Sequence, residues 1–70
     1  MSRDEKRFLE CLKKSKSKIV LQRHHGYCIS YHFPDVVQTG WHSATIDDMI
    51  RNGVISLEYV SDHAYRVIVE

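Results

Sequence analysis

Residues 45–54 read TIDDMIRNGV, which is the pattern of a short capped helix that ends at a glycine. Thr45 offers a side-chain hydroxyl to the helix N-terminus, and the two aspartates that follow place negative charge where the helix dipole favours it. The apolar residues of the segment fall on one face of a helix. Gly53 suits the left-handed position after the last turn, and Val54 can fold back against that turn. The segment therefore predicts one helix with a defined stop.

The residues after this helix predict a β-hairpin. Residues 54–61 and 64–70 alternate apolar and polar side chains, as half-buried strands do. A three-residue loop at 61–63 gathers the apolar side chains on one face and adds an aromatic cross-strand contact. The predicted pairs are Tyr59–Tyr65, Leu57–Val67 and Ile55–Val69.

The first half of the chain predicts the same order, a helix and then a hairpin. Ser2 and Glu5 fit a capping box for a helix from about residue 3 to residue 15. Residues 18–23 and 27–33 then flank a three-residue loop at 24–26, with its glycine in the left-handed position. Residues 34–41 are irregular, and Trp41 is predicted to close over the edge of the core. The loop length predicts that one face of the hairpin carries the apolar residues Ile19, Leu21, Tyr27, Ile29 and Tyr31.

Together these elements predict a single small α+β domain over residues 1–70, with two helices and two antiparallel β-hairpins in the order α-β-β-α-β-β. The simplest architecture packs both helices on the apolar faces of up to four strands. A chain of 70 residues buries only about 60% of its unfolded surface. Association into a homodimer is one way in which so small a core gains stability.

The net charge of +1 hides an uneven distribution. Residues 1–25 carry eight basic and three acidic residues, whereas residues 26–70 carry two basic and six acidic residues. A basic stripe from the end of the first helix into the first hairpin can neutralise phosphates. The alternative is that these lysines are a solvated helix end with no partner. The candidate nucleic-acid-binding residues are Lys13, Lys14, Lys16, Lys18, Arg23, Arg51 and Asn52.

The C-terminal half resembles the end of a winged-helix domain. Residues 45–55, followed by the strand at 65–69, are similar to its recognition helix and wing. The resemblance covers less than half of the chain and implies DNA binding and a role in transcription regulation. The chain departs from the family in the acidic start of this helix, which faces phosphates unfavourably, and in a strand and loop where a preceding helix is usual. Arg51, Asn52 and the basic first half are therefore the better candidates for a DNA contact.

No metal, cofactor or catalytic site is expected. His24, His25, Cys28 and His32 are close in sequence, but Cys28 and His32 lie about 13 Å apart on an extended strand. Zinc needs its ligand atoms within about 2.3 Å. The sequence holds no phosphate-binding glycine loop and no nucleophile motif, and the chain leaves little room for a cleft. We expect a protein that is not an enzyme and has no small-molecule substrate.

Two classes of function stay open. The first is a small accessory or regulatory protein that binds nucleic acid through its basic N-terminal half. The second is a protein-interaction module, inhibitor or homodimer without nucleic-acid contact, of the kind that phages and other mobile elements often encode. The charged N-terminus, two cysteines without framework spacing and the lack of a long apolar run favour a cytoplasmic protein with no membrane partner.

Overall fold

The computed structural model describes residues 2–70 as two helices packed on one face of a five-stranded antiparallel sheet. The strands lie side by side in the order β3-β2-β1-β5-β4. The α+β class, the antiparallel pairing and the two helices are confirmed. In chain order the elements are α1 (Arg3–Lys14), β1 (Ile19–His25), β2 (Cys28–His32), β3 (Trp41–His42), α2 (Ser43–Arg51), β4 (Ile55–Ser61) and β5 (Ala64–Val69).

The predicted number of strands, up to four, is wrong, because the segment after Pro34 contributes a fifth strand. Trp41 pairs with Tyr31, and His42 pairs with Ser30. A continuous sheet results, in which the two hairpins meet through β1 and β5.

Helix α1 begins and ends close to where the sequence predicts. The Ser2 hydroxyl accepts a hydrogen bond from the Glu5 amide at 3.2 Å, which satisfies one of the unpaired N–H groups of the first turn. Lys13 and Lys14 lie in the last turn, where cations favour the helix dipole.

Helix α2 begins at Ser43, so Thr45 is wrong as its predicted cap. The cap is His42, whose Nδ1 accepts a hydrogen bond from the Ala44 amide at 3.1 Å. Pairing with β2 fixes this residue in an extended conformation, and the helix starts directly after the strand. The first turn of α2 consequently carries no acidic residue.

The glycine stop after α2 is confirmed. Gly53 has a φ of +74°, and its amide donates to the Ile50 carbonyl at 3.1 Å. The Val54 amide donates to the Met49 carbonyl at 2.9 Å. These two bonds form a Schellman motif, which turns the chain directly into β4.

The hairpin of β4 and β5 has the predicted register. Tyr59 pairs with Tyr65, and a bulge follows at the loop. The predicted three-residue loop is wrong, because Ser61 pairs with Ala64 and the loop contains only Asp62 and His63, of which His63 has a φ of +62°. The other two predicted pairs, Leu57–Val67 and Ile55–Val69, are also present.

The predicted loop of the first hairpin is wrong. His25 pairs with Cys28, so the loop contains only Gly26 and Tyr27. Gly26 has a φ of +59°, which a type II′ turn requires at its first central position.

The predicted apolar face of β1 is wrong as well. Val20 is fully buried beneath the helices, whereas Ile19 and Leu21 lie half-buried on the opposite face. Three consecutive apolar residues give no alternation from which to choose a face. The pairing of β1 with β5 determines which face of β1 is buried, because Val20 lies opposite Tyr65 on the helix side of the sheet.

An aromatic cluster joins α1 to β2 and β3. The ring of Phe8 lies 5.2 Å from that of Phe33 and 5.0 Å from that of Trp41. The indole N–H of Trp41 donates to the Asp4 carbonyl at 3.1 Å. With only 3% of its surface exposed, Trp41 covers the core as predicted.

The tips of the two hairpins are linked by the side chain of Gln22. Its Oε1 lies 3.0 Å from Nε2 of His24 and 3.3 Å from Nδ1 of His63, and its amide nitrogen donates to the Tyr31 hydroxyl at 3.0 Å. The loops of the β1–β2 and β4–β5 hairpins are thus connected to each other at the same end of the sheet.

Both helices use the same face of the sheet, which leaves the other face open over the part of the chain that the structure describes. Successive side chains of a strand point to opposite faces, so those of β1 that alternate with Val20 lie on this open face. The polar residues that the strand register places there are Arg23, His25, Ser30 and His32. No helix within residues 2–70 combines the length and the apolar character needed to cross a membrane.

The Gly53→Val substitution should destabilise the protein by at least about 1 kcal/mol, because a β-branched side chain is poorly tolerated at positive φ. Gly40→Val is the matched control, since Gly40 has no positive φ and an added Cβ there would meet open space. Thermal melts of both variants test this. Equal melting temperatures would show that the left-handed stop does not limit stability.

Candidate nucleic-acid interface

The solvent side of α1 is a continuous basic surface. Residues 3, 6, 7, 10, 13 and 14 fall within an arc of roughly 120° on a helix with 3.6 residues per turn. Phe8 and Leu12, both buried, point in the opposite direction. We call this surface the basic face of α1, and it consists of Arg3, Lys6, Arg7, Lys13 and Lys14, with Glu10 as its one acid.

The cations of the basic face are not neutralised by ion pairs within residues 2–70. The three ion pairs found there are Arg51–Asp48, His63–Asp62 and Arg66–Glu58, all outside α1. Every cation of the basic face is exposed. Like charges three and four positions apart repel each other on a helix, so the face favours an anion that lies along it.

Arg7 has a second role, as the anchor of α1 on β3. Its guanidinium carbon lies 4.7 Å from the ring centroid of Trp41, and one of its nitrogens donates to the Gly40 carbonyl at 3.1 Å. Arg7 therefore has a fixed orientation, which Lys6 and Lys13 on either side of it do not share.

The chain after α1 is fixed by the carboxylate of Asp35. Its Oδ1 accepts a hydrogen bond from the buried Ser15 hydroxyl at 2.8 Å, and its Oδ2 accepts from the amides of Lys16 and Ser17 at 2.9 and 3.1 Å. The hydrogen bond from Ser15, followed by that from Ser17, lowers the pKa of Asp35 below its ordinary value. The charge of Lys16 thus lies just beyond the end of the basic face, on a backbone that Asp35 holds in place.

The ammonium group of Lys18 is hydrogen-bonded to the C-terminal end of α1. Its ammonium donates to the carbonyl of Leu12 at 2.6 Å and to that of Lys13 at 3.3 Å, two acceptors that the helix C-terminus leaves free. Its backbone has a φ of +58°, and this conformation directs the chain from α1 into β1. Lys18 therefore contributes to the structure of the α1 terminus.

The other predicted site residues lie on other elements. Arg23 is on the open face of the sheet, opposite to the helices. Arg51 lies 3.3 Å from the carboxylate of Asp48, and Asn52 is the C-cap of α2. Lys13, Lys14 and Lys16 thus lie together at the end of α1, whereas Arg51 and Asn52 lie at the end of α2.

Sequence reasoning missed Arg3, Lys6 and Arg7 as members of the candidate site. Their spacing of three and four residues, continued at positions 10, 13 and 14, is the periodicity of one helix face. The signal was present, but the serine cap and the acidic residues of the first turn indicate helix stability there rather than a binding surface.

Comparisons of this chain with protein families, with characterised proteins and with solved structures find no match. Within residues 2–70, no group of three or more histidine, cysteine, aspartate or glutamate side chains is placed to hold a metal ion.

Asp35→Asn should lower the melting temperature near neutral pH, because the neutral amide is a weaker acceptor for the donors at residues 15–17. Hydrogen bonds lower the pKa of Asp35 in the folded protein. Its stabilising effect is therefore complete above the ordinary value of 3.8 and disappears as the pH falls through the folded-state pKa. The melting temperatures of wild type and Asp35→Asn should therefore converge at acidic pH.

Asp47→Asn is the matched control for this measurement, since Asp47 is an exposed carboxylate on α2. It should leave the melting temperature nearly unchanged at every pH. A pH-independent difference between wild type and Asp35→Asn would mean that the ionised carboxylate is not what stabilises this junction.

Proposed function

We propose that this protein binds nucleic acid through the basic face of α1, as a small accessory or regulatory protein rather than an enzyme. The observation that carries the proposal is the alignment of Arg3, Lys6, Arg7, Lys13 and Lys14 on the side of α1 that points away from the core. A cytoplasmic location is part of the same proposal.

The geometry favours backbone contacts over sequence reading. The twelve residues of α1 span about 18 Å at 1.5 Å per residue, and its exposed cations are mostly lysines, which act as point charges towards phosphates. Phosphate contacts fix position and supply salt-dependent affinity, but they carry no sequence information. The expected activity is therefore binding with little preference for sequence.

The resemblance to winged-helix proteins suggests an alternative surface of this protein for binding nucleic acid. Helix α2 is followed by the β4–β5 hairpin, in the order of a recognition helix and a wing. That interface would use Arg51 and Asn52 at the end of α2, while the exposed Asp47 and Asp48 oppose it. The two interfaces can be separated by mutation.

The triple variant Lys6→Gln, Lys13→Gln, Lys14→Gln should weaken binding to a mixed-sequence duplex regardless of the sequence. The slope of log affinity against log salt should become shallower by about 0.9 for each phosphate that is no longer neutralised, or about 2.7 in total. Fluorescence anisotropy over a salt series, starting near 50 mM, measures both quantities.

The control is Arg66→Gln, compared with the single variant Lys13→Gln, because each removes one positive charge and Arg66 lies on β5, outside α1 and outside the end of α2. Its affinity and salt slope should stay close to those of wild type. Equal reductions in Lys13→Gln and Arg66→Gln would indicate a response to net charge alone, and a wild-type protein that does not bind even at low salt would exclude the proposal.

A second candidate function is self-association through the edge of the sheet. β4 lies at the edge and extends over seven residues, with Tyr59 68% exposed near its end. An edge strand of this length can pair with the same strand of a second copy about a two-fold axis.

Val60→Lys should prevent such pairing, because a charged residue on an edge strand disfavours strand addition. Ile68→Lys is its control, since Val60 and Ile68 are 40% and 39% exposed but Ile68 lies on β5, inside the sheet. Sedimentation equilibrium should show a concentration-dependent dimer for wild type and for Ile68→Lys only. A wild-type monomer at all concentrations would exclude this candidate.

A further inference from the structure

A cleft of about 460 Å³ lies on the open face of the sheet, on the side away from α1 and α2. One wall comes from β1 and β2, and the other comes from residues 33–40, which connect β2 to β3. The volume falls in the range of small-molecule sites. The strand wall carries Arg23, His25, Ser30 and His32.

The register of β1 and β2 places these four side chains in adjacent rows. Arg23 lies directly opposite Ser30, and His32 lies opposite Leu21, the next residue on the same face of β1. Opposite and diagonal neighbours on one face of a sheet lie within reach of long side chains. The guanidinium of Arg23, the hydroxyl of Ser30 and the imidazole of His32 are therefore neighbours, whereas His25, opposite Cys28, lies two rows from His32.

The lining of the cleft carries basic side chains and no acidic one. Arg23 takes part in none of the ion pairs within residues 2–70. The acid of the connecting segment, Asp35, is engaged by the donors at residues 15–17. The register places His32 diagonal to Arg23 on the same face of the sheet, and burial and then the charge of Arg23 lower the pKa of His32.

The opposite wall is held in place, and its lining side chains within residues 33–37 are apolar; Gln38, Thr39 and Gly40 follow them. Pro34, Val36 and Val37 line it, and Val37 is 87% exposed although it is a large apolar residue. The Thr39 hydroxyl accepts a hydrogen bond from the Phe33 amide at 2.8 Å and so fixes the base of the segment. An anion that also carries a flat or apolar body would meet both walls.

We propose that this cleft binds a terminal phosphate monoester on a nucleotide-sized body, with the phosphate held by Arg23 and His32 and the body against Val36 and Val37. Arg23 supplies the permanent charge and a fork of donors suited to phosphate oxygens. Ser30 adds a hydroxyl donor. The same chemistry is offered by a free mononucleotide and by the 5′-phosphorylated end of a nucleic-acid strand.

This binding goes beyond the proposed function and is independent of it. The basic face of α1 lies on the helix side of the sheet and the cleft on the open side, so the two sites respond to different substitutions. The triple variant Lys6→Gln, Lys13→Gln, Lys14→Gln should bind the nucleic-acid backbone more weakly, but it leaves the residues of the cleft unchanged.

The test is an NMR titration of the imidazole signals of His25 and His32 in the whole chain. The probes are inorganic phosphate, adenosine 5′-monophosphate, and a short oligonucleotide with and without a 5′-phosphate. We expect saturable shifts with the phosphate monoesters, at least about tenfold weaker binding for Arg23→Gln, and unchanged binding for Arg66→Gln. Arg66 is the matched control because it is an arginine on the same open face, 2.8 Å from the carboxylate of Glu58.

Above a pH of about 6, where a phosphate monoester keeps its second negative charge, binding should strengthen as the pH falls, because a bound phosphate favours protonation of His32 and protonation adds a cation. The titratable and charged groups around His32 are Arg23 and His25 on β1, Asp35 in the connecting segment, and His42 on β3, whose Nδ1 is occupied by the Ala44 amide. His32→Gln should remove most of this pH dependence.

Saturation by the mononucleotide alone points to a free nucleotide, and saturation by the phosphorylated oligonucleotide alone points to a strand end; either supports the proposal. The proposal is overturned if no probe gives a saturable shift, or if Arg23→Gln binds like wild type. It is also overturned if the oligonucleotide shifts the two imidazoles equally with and without its 5′-phosphate. Arg23→Gln should keep the wild-type melting temperature, since the Arg23 side chain is exposed.

Discussion

The carboxylate of Asp35 is the point on which the positions of both candidate sites depend. It accepts hydrogen bonds from residues 15–17, which end α1, and it belongs to the segment that forms the apolar wall of the cleft. Ser15 in turn accepts from the Lys18 amide at 3.0 Å, so the start of β1 is tied to the same group. The buried Ser15 hydroxyl and the exposed carboxylate of Asp35 thus connect the end of α1, the start of β1 and the segment after β2 through polar contacts.

A sheet covered on one face gives this small protein two different surfaces. The helix side contains the aromatic cluster of Phe8, Phe33 and Trp41, and the outside of α1 is free to carry charge. The open side contains polar residues of β1 and β2 beside half-buried Ile19 and Leu21. Burial of both faces would require more chain than 70 residues provide.

The sequence predicts those elements whose signals are local. The serine cap of α1, the glycine stop at Gly53 and the register of the β4–β5 hairpin follow from residues within one turn or one loop. The first hairpin could not be predicted in the same way, because Ile19, Val20 and Leu21 are all apolar and the choice of face comes from β5, more than forty residues later. Strand β3 has only two residues and depends on its pairing with β2 for its existence. The same distinction applies to the candidate site. The charge pattern is enough to place Lys13 and Lys14 at the end of α1, whereas the face of the sheet on which Arg23 lies could not be predicted from the periodicity of β1.

The pairing of β1 with β5 also determines how the chain can assemble. Each hairpin forms from neighbours in sequence, but Leu21 pairs with Ala64, 43 positions away. Closing a loop of that length costs about 3 kcal/mol from its length-dependent entropy alone. The pairing at the centre of the sheet is therefore the one with the largest entropic cost. Without it, β1 and β5 would both be edge strands, and an unpaired edge is a template for pairing with another chain.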